Sequence, residues 1–256
     1  MQTNNIFSAA PAFSAEQFCL LPHWYPQLAA HTFITTFIPL PADAVELLKE
    51  GAFDDLDEEE RIDNMMIEEL RQPMAEIPGN CFVCVDSCAP TDTPRFQSKG
   101  GAVYSPRSAW RNLRESAKVR EAARAGLVTS ICLRPFRNMT AAREFRLFIV
   151  DGKLKGMSQY HLVRHFRRPE GIKENLWNRC QLFINAKAWR LPKGKLVMDV
   201  YFTSNYDRIM IVDLNTWGGT TDPKLFKWEE NWEEAGPGLR VMAPPTEISG
   251  NVNLSF

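Results

Sequence analysis

Apolar and polar residues alternate most regularly between positions 144 and 159. Glu144-Phe145-Arg146-Leu147-Phe148-Ile149-Val150 runs into Asp151-Gly152, and residues 153–159 return. Asp-Gly suits the two left-handed positions of a type I′ turn, so the segment predicts a β-hairpin. A second hairpin is predicted from 196–202 to 208–214 across 203–207. Further β-branched and aromatic runs predict strands over 31–38, 80–86 and 127–134. Periodicity near 3.6 predicts helices over 43–50, closed by Gly51, and after the acidic run 54–60, where Ile62, Met65, Met66 and Leu70 share a face and Pro73 ends it. A long amphipathic helix is predicted over 106–125, between Pro106 and Gly126, and another over about 171–185. Residues 1–14 read as a loose terminus, 87–101 as a loop, and 228–256 as a short acidic helix followed by a Pro- and Gly-rich tail. Helices interleaved with antiparallel hairpins give an α+β or α/β class.

Composition narrows the function classes. At 256 residues with 45% hydrophobic and 24% charged, the chain has the make-up of a folded globular protein. A net charge of −1 supplies no global field for nucleic acid or an anionic membrane. No apolar run reaches the ~18 residues of a membrane helix, and the first Lys or Arg is Lys49, which argues against a signal peptide. The expectation is a cytoplasmic protein with neither nucleic-acid nor membrane partners. Cys81, Cys84 and Cys88 are spaced as metal or redox cysteines might be, but no second pair completes four ligands. Cys81-Phe82-Val83-Cys84-Val85 reads as a buried strand, with cysteine acting as a small hydrophobe.

The near-zero total hides a segregation of charge. Residues 42–80 carry thirteen acids and three bases, whereas 95–173 carry eighteen bases and five acids. On a continuous helix Arg107, Arg111, Arg114 and Lys118 stack on one face. Two readings stand open: solvated or mutually attracting surfaces, and an anionic ligand held by the basic half.

Two carboxylates occupy strand positions among large apolar residues, Asp199 in Val197-Met198-Asp199-Val200-Tyr201 and Asp213 in Met210-Ile211-Val212-Asp213-Leu214. A turn centred near Tyr206 sets them opposite each other, with Asn215 further along the same face. Facing like charges destabilise a strand pair, and burial adds several kcal/mol per ion, roughly, without compensation. A hard divalent cation provides it, since magnesium takes one or two carboxylates with substrate phosphates and water. The other reading is a slipped register, with one Asp capping a turn in solvent.

Ile211-Val212-Asp213-Leu214-Asn215-Thr216-Trp217-Gly218, followed by Thr221-Asp222-Pro223-Lys224-Leu225-Phe226-Lys227-Trp228-Glu229-Glu230, resembles the C-terminal signature of the cell division cycle protein 123 family. His23-Trp24-Tyr25-Pro26, Ile38-Pro39-Leu40-Pro41, Glu144-Phe145-Arg146 and Gly156-Met157-Ser158-Gln159-Tyr160 match in the same order, covering about 23–230. The resemblance implies an α+β, ATP-grasp-like fold, with a nucleotide cleft between an N-terminal lobe near 1–130 and a C-terminal lobe over 131–256. It implies ATP and Mg2+ as cofactors, with Asp199, Asp213 and Asn215 as metal ligands. Arg134, Pro135, Phe136 and Arg137 fall in the hinge whose backbone reads adenine, and Glu144 and Arg146 lie near ribose and phosphates. Cys84 stands where the family carries a phosphate-binding lysine, and a second such lysine falls near Ala102. Lys99, beside Gly100-Gly101, is the nearest replacement. The functional expectation is a chaperone-like assembly factor that binds a protein partner, in eukaryotic relatives for translation initiation factor 2. An ATP-grasp ligase or phosphotransferase, or a degenerate binding module, is the alternative.

Overall fold

The computed structural model describes residues 13–232 and 238–245. Ser14 opens the described chain with a capping box to Gln17, starting α1 (Ala15–Phe18). α2 (Leu21–Leu28) follows, and Phe18, Leu21, Trp24 and Leu28 are all buried. The strand expected over 31–38 begins only at Thr36 (β1, Thr36–Pro39). The preceding residues cross towards the other lobe, where the Thr32 hydroxyl donates to the Ile211 carbonyl at 2.7 Å.

α3 (Ala42–Glu50) ends at Gly51, whose φ of +88° is the left-handed stop the sequence predicts. Asp55 caps α4 (Leu56–Glu69) by accepting from the Asp57 and Glu58 amides, and Ile62 and Met66 are buried. Pro73 does not end the helical path. The chain turns at Leu70 into α5 (Arg71–Ala75), and Pro73 sits in its first turn, where no amide is needed.

β2 (Cys81–Val85) leads into the expected loop, part of which folds as α6 (Pro94–Lys99). The single helix expected over 106–125 is two, α7 (Pro106–Arg114) and α8 (Ala117–Arg124). The break is local chemistry: Ser116 caps α8 through the Val119 amide, while Asp92 accepts from the Ser116 hydroxyl and the Ala117 and Lys118 amides. Lys118 thereby leaves the arginine stripe and donates to Thr91.

β3 (Ser130–Pro135) is the centre of a three-stranded antiparallel sheet ordered β1-β3-β2. The chain passes to the second sheet over 136–143. β4 (Glu144–Val150) and β5 (Lys153–Gln159) form the predicted hairpin, with Asp151 and Gly152 at φ of +47° and +70°. After α9 (Arg167–Gly171) and α10 (Lys173–Asn185) come β6 (Lys195–Phe202), β7 (Ile209–Thr216) and β8 (Gly238–Arg240). The five-stranded order is β7-β6-β4-β5-β8. Residues 228–232 are turns and irregular chain, not the expected acidic helix; 233–237 and the tail from 246 lie outside the described residues.

Alternation assigns the faces. Phe145, Leu147, Ile149, Met198, Val200 and Phe202 join α1, α2 and α10 in one core, which also receives Cys84 and Cys132 from the small sheet. Val83, Val85, Ile131 and Leu133 point the other way, into a second core under α3, α4, α7 and α8. The opposite face of the large sheet is apolar at one end, where Phe148 packs among Trp217, Phe226, Trp228 and Trp232. Gly156 admits that packing, because a Cβ there would lie 2.8 Å from Trp232. The other end of this face is polar. No described helix is long and apolar enough to cross a membrane.

Candidate functional site

The polar end of that face is built from facing strand positions. Asp199 pairs with Asp213 across β6 and β7, as the hairpin arithmetic anticipates, but by a different route. The 203–208 loop closes one residue out of step with a turn centred on Tyr206, pairing Val200 with Ile211. An irregularity between Asp199 and Val200 then leaves Val212 unopposed and restores the facing pair. Val197 pairs with Asn215, on the same side.

The first charge to answer Asp199 is an arginine, not a cation from solution. Arg146, opposite Asp199 on β4, donates from Nε and Nη2 to the two carboxylate oxygens at 2.7 and 2.8 Å. Asn215 adds a bond from Nδ2 at 2.9 Å. Burial alone would lower the Arg146 pKa, but its bonds to Asp199 outweigh that and hold it firmly protonated. Its remaining Nη1 donates to the Asp222 carbonyl at 2.6 Å. Tyr160 lies beneath it, 5.1 Å from the guanidinium carbon to the ring centre, and Lys224 approaches the same ring at 4.4 Å. Burial drives the Tyr160 hydroxyl well above the usual phenol range. Lys224 also pairs with Asp222 at 3.0 Å, holding that carboxyl below its ordinary range against the effect of burial.

Asp213 has no such fork. The Leu214 amide donates to it at 2.9 Å. Burial is the largest influence and pushes its carboxyl up to about 7, with Asp199 adding to the rise and Arg134 opposing it. Arg134 joins the two lobes: Nε donates to Thr35 at 3.0 Å and Nη1 to the Val212 carbonyl at 2.9 Å. Its Nη2 is buried without a partner. The site therefore holds a carboxylate short of positive charge and a guanidinium short of an acceptor. A hard cation fits that donor set, with Asp213 as its main carboxylate, Asp199 as a second, and an amide oxygen from Asn215. The buried, unpartnered Nη2 fits an anionic oxygen.

The other candidate residues are dispersed. Glu144 is buried and bonded to His161 at 2.9 Å. Pro135 has no amide, and the Phe136 amide already donates to the Asn80 carbonyl at 2.8 Å, so neither offers an N–H to a base. Arg137 is exposed. Cys84 is buried in the shared core with its thiol towards the Cys132 carbonyl. Cys81 lies on the opposite face of that strand, so the two cannot ligate one ion. Lys99 is exposed in the last turn of α6 and makes no bond or ion pair with any site residue among those described. Sequence reasoning missed the Arg146–Asp199 fork, the Arg134 bridge and the Tyr160–Lys224 pair. The first was signalled by a charged residue at an inward position of a central strand.

Comparison with known proteins agrees with this architecture. The structure of Cdc123 from Schizosaccharomyces pombe superposes with a TM-score of 0.73 at 20% identity, covering 90% of this chain and 96% of that one; at that identity the likeness concerns the fold. A translation initiation factor eIF2 assembly protein from Lodderomyces elongisporus is 33% identical over 106 residues, 39% of this chain and 27% of that protein. Cell division cycle protein 123 from Eremothecium gossypii is 30% identical over 122 residues, 45% of this chain and 34% of the relative. The matched stretches thus span about a quarter to a third of the relatives' length. The D123 family model matches residues 108–250, more than half of the chain and all of the strands that carry the carboxylate pair. The protein belongs to the D123 family.

Proposed function

We propose that this protein is an Mg-ATP-binding assembly factor that uses nucleotide to organise a surface for a protein partner. The observation that carries the reading is Asp213, half-buried opposite Asp199 with no cationic fork of its own while Arg146 is spent on its neighbour. Asp213, Asp199 and Asn215 would hold the ion, which neutralises phosphate charge when bound. Arg134 would offer its spare Nη2 to an anionic group, and Arg146 would fix Asp199 in one orientation. The relatives' designation as eIF2 assembly proteins supports a protein partner of that kind here.

Assembly is favoured over ligation because the cationic groups around the site are largely engaged already, Arg146 by Asp199, Lys224 by Asp222, and Arg134 by Thr35 and the Val212 carbonyl. Phosphoryl transfer needs preorganised positive charge where negative charge develops. Cys84 and Ala102, which take the places of the two lysines expected from the family pattern, are buried and uncharged. The test is calorimetric titration with Mg-ATP, with hydrolysis followed in the same samples. Saturable, magnesium-dependent binding with negligible turnover is expected. Turnover stimulated by an amine or thiol acceptor would favour the ligase reading, and absence of binding at millimolar nucleotide would refute both.

A further inference from the structure

The arginines of α7 and α8 take no part in the Asp199–Asp213 site, and their surroundings suggest a second one. On the N-terminal lobe a recess of about 380 Å³ lies among α4, α7 and α8, walled by Trp110 and by Arg107, Arg111, Arg114 and Arg120. Two acids, Asp63 and Glu115, also line it. The internal pairings leave a remainder. Arg114 is engaged by Asp63 at 2.7 Å and by Glu59 at 2.8 Å, and Arg111 by Glu115 at 2.5 Å. Arg107 and Arg120 have no side-chain hydrogen bond or ion pair among the described residues. The Nε atoms of both Arg114 and Arg120 are buried without an acceptor. With Glu59 counted, four cations meet three anions, and the two guanidinium groups left unpaired are those of Arg107 and Arg120.

The backbone makes room for this arrangement. Gly51 is left-handed, and a Cβ there would fall 2.7 Å from Arg120 Nη2 and 2.9 Å from its Nε. The guanidinium therefore lies against the bare glycine, at the wall of the recess. Two unpaired planar forks at one concave surface match a group that carries two charges and several acceptor oxygens. The geometry points to a binding site for a phosphate dianion in this recess, separate from the Asp199–Asp213 site and independent of the function proposed for it.

The experiment is calorimetric titration of the full chain with inorganic phosphate at constant ionic strength, with chloride as the reference anion. One saturable phosphate site is expected. Arg107→Gln and Arg120→Gln should each weaken it by about tenfold, the loss of one charge-assisted bond. Arg107 is exposed, so that variant keeps the test valid if Arg120→Gln fails to fold. Gly51→Ala should also weaken binding by displacing Arg120. Gly79→Ala, at an equally left-handed position with open space around it, should not. Asp213→Asn should leave phosphate binding unchanged. The proposal fails if phosphate binds no better than chloride, if the arginine variants bind like the parent, or if Asp213→Asn is the variant that alters binding.

Discussion

Each lobe buries an arginine between acids, and the two are balanced differently. In the N-terminal lobe Arg114 serves two carboxylates at once, taking Asp63 with one arm and Glu59 and the Gly51 carbonyl with the other. Both acids keep some contact with water, at 31% and 19% side-chain exposure. In the C-terminal lobe Arg146 gives its fork to Asp199 alone, and the pair is almost completely buried, at 6% and 5%. Asp213 is left over. The first arrangement gives each of its acids a direct bond from the guanidinium and fastens helices together. The second leaves a carboxylate without a direct cationic partner facing another, a cost that Arg134 offsets only in part.

That contrast makes Arg146 the most damaging single position to truncate. Arg146→Ala strands the almost fully buried Asp199 and should cost about 3–5 kcal/mol, read from urea unfolding. Arg114→Ala leaves two acids that can rehydrate, so its cost should be nearer 2 kcal/mol. Equal losses from the two variants would erase the distinction between the lobes.

Next in size is the response to ligand. Mg-ATP at a hundredfold excess over its dissociation constant should raise the unfolding free energy by about 2.7 kcal/mol, seen as a shifted thermal melt. Asp213→Asn should abolish that gain. The same variant, without ligand, should be as stable as the parent or more so, because a neutral amide relieves the burial cost and the repulsion. A strong loss of unliganded stability in Asp213→Asn would mean that Asp213, like Asp63, has a structural partner.

How much of this was legible in the sequence depended on how local the cause was. The 144–159 hairpin could be read because Asp151-Gly152 dictates its own turn and two-residue alternation fixes the faces. The end of α3 could be read because Gly51 is its stop. The break between α7 and α8 could not, since it depends on Asp92, a residue more than twenty positions away that bonds the Ser116 hydroxyl. The carboxylate pair was found through an arithmetic that the loop does not obey, rescued by the irregularity at Val212. Its neutralising partner was visible in principle: Arg146 and Asp199 are both inward charges on strands that pair. Pairing β4 with β6 across the intervening helices is a long-range choice, which no local pattern encodes. For the same reason the Arg134 bridge, which spans the lobes, had no signal in its own neighbourhood.

The smallest expected effect is a pH dependence that separates the two charge clusters. Glu59 accepts the Phe53 amide and a bond from Arg114, which hold its carboxyl below the ordinary carboxylate range despite the opposing pull of burial. A depressed native pKa means that the unfolded chain binds the proton more readily. The stabilisation is therefore present in full above the unfolded value and fades as pH falls through the native one. Thermal melts between pH 6 and pH 3 should thus show a decline in the parent that is shallower in Glu59→Gln, which has no carboxylate to protonate. Glu59 keeps contact with water, so the difference should be modest and should shrink with added salt. The variant should not alter Mg-ATP binding, because the Arg114 cluster lies outside the Asp199–Asp213 site. A Glu59→Gln protein with the parent's full acid sensitivity would show that the N-terminal cluster contributes nothing to it, and would place the titrating carboxylates elsewhere.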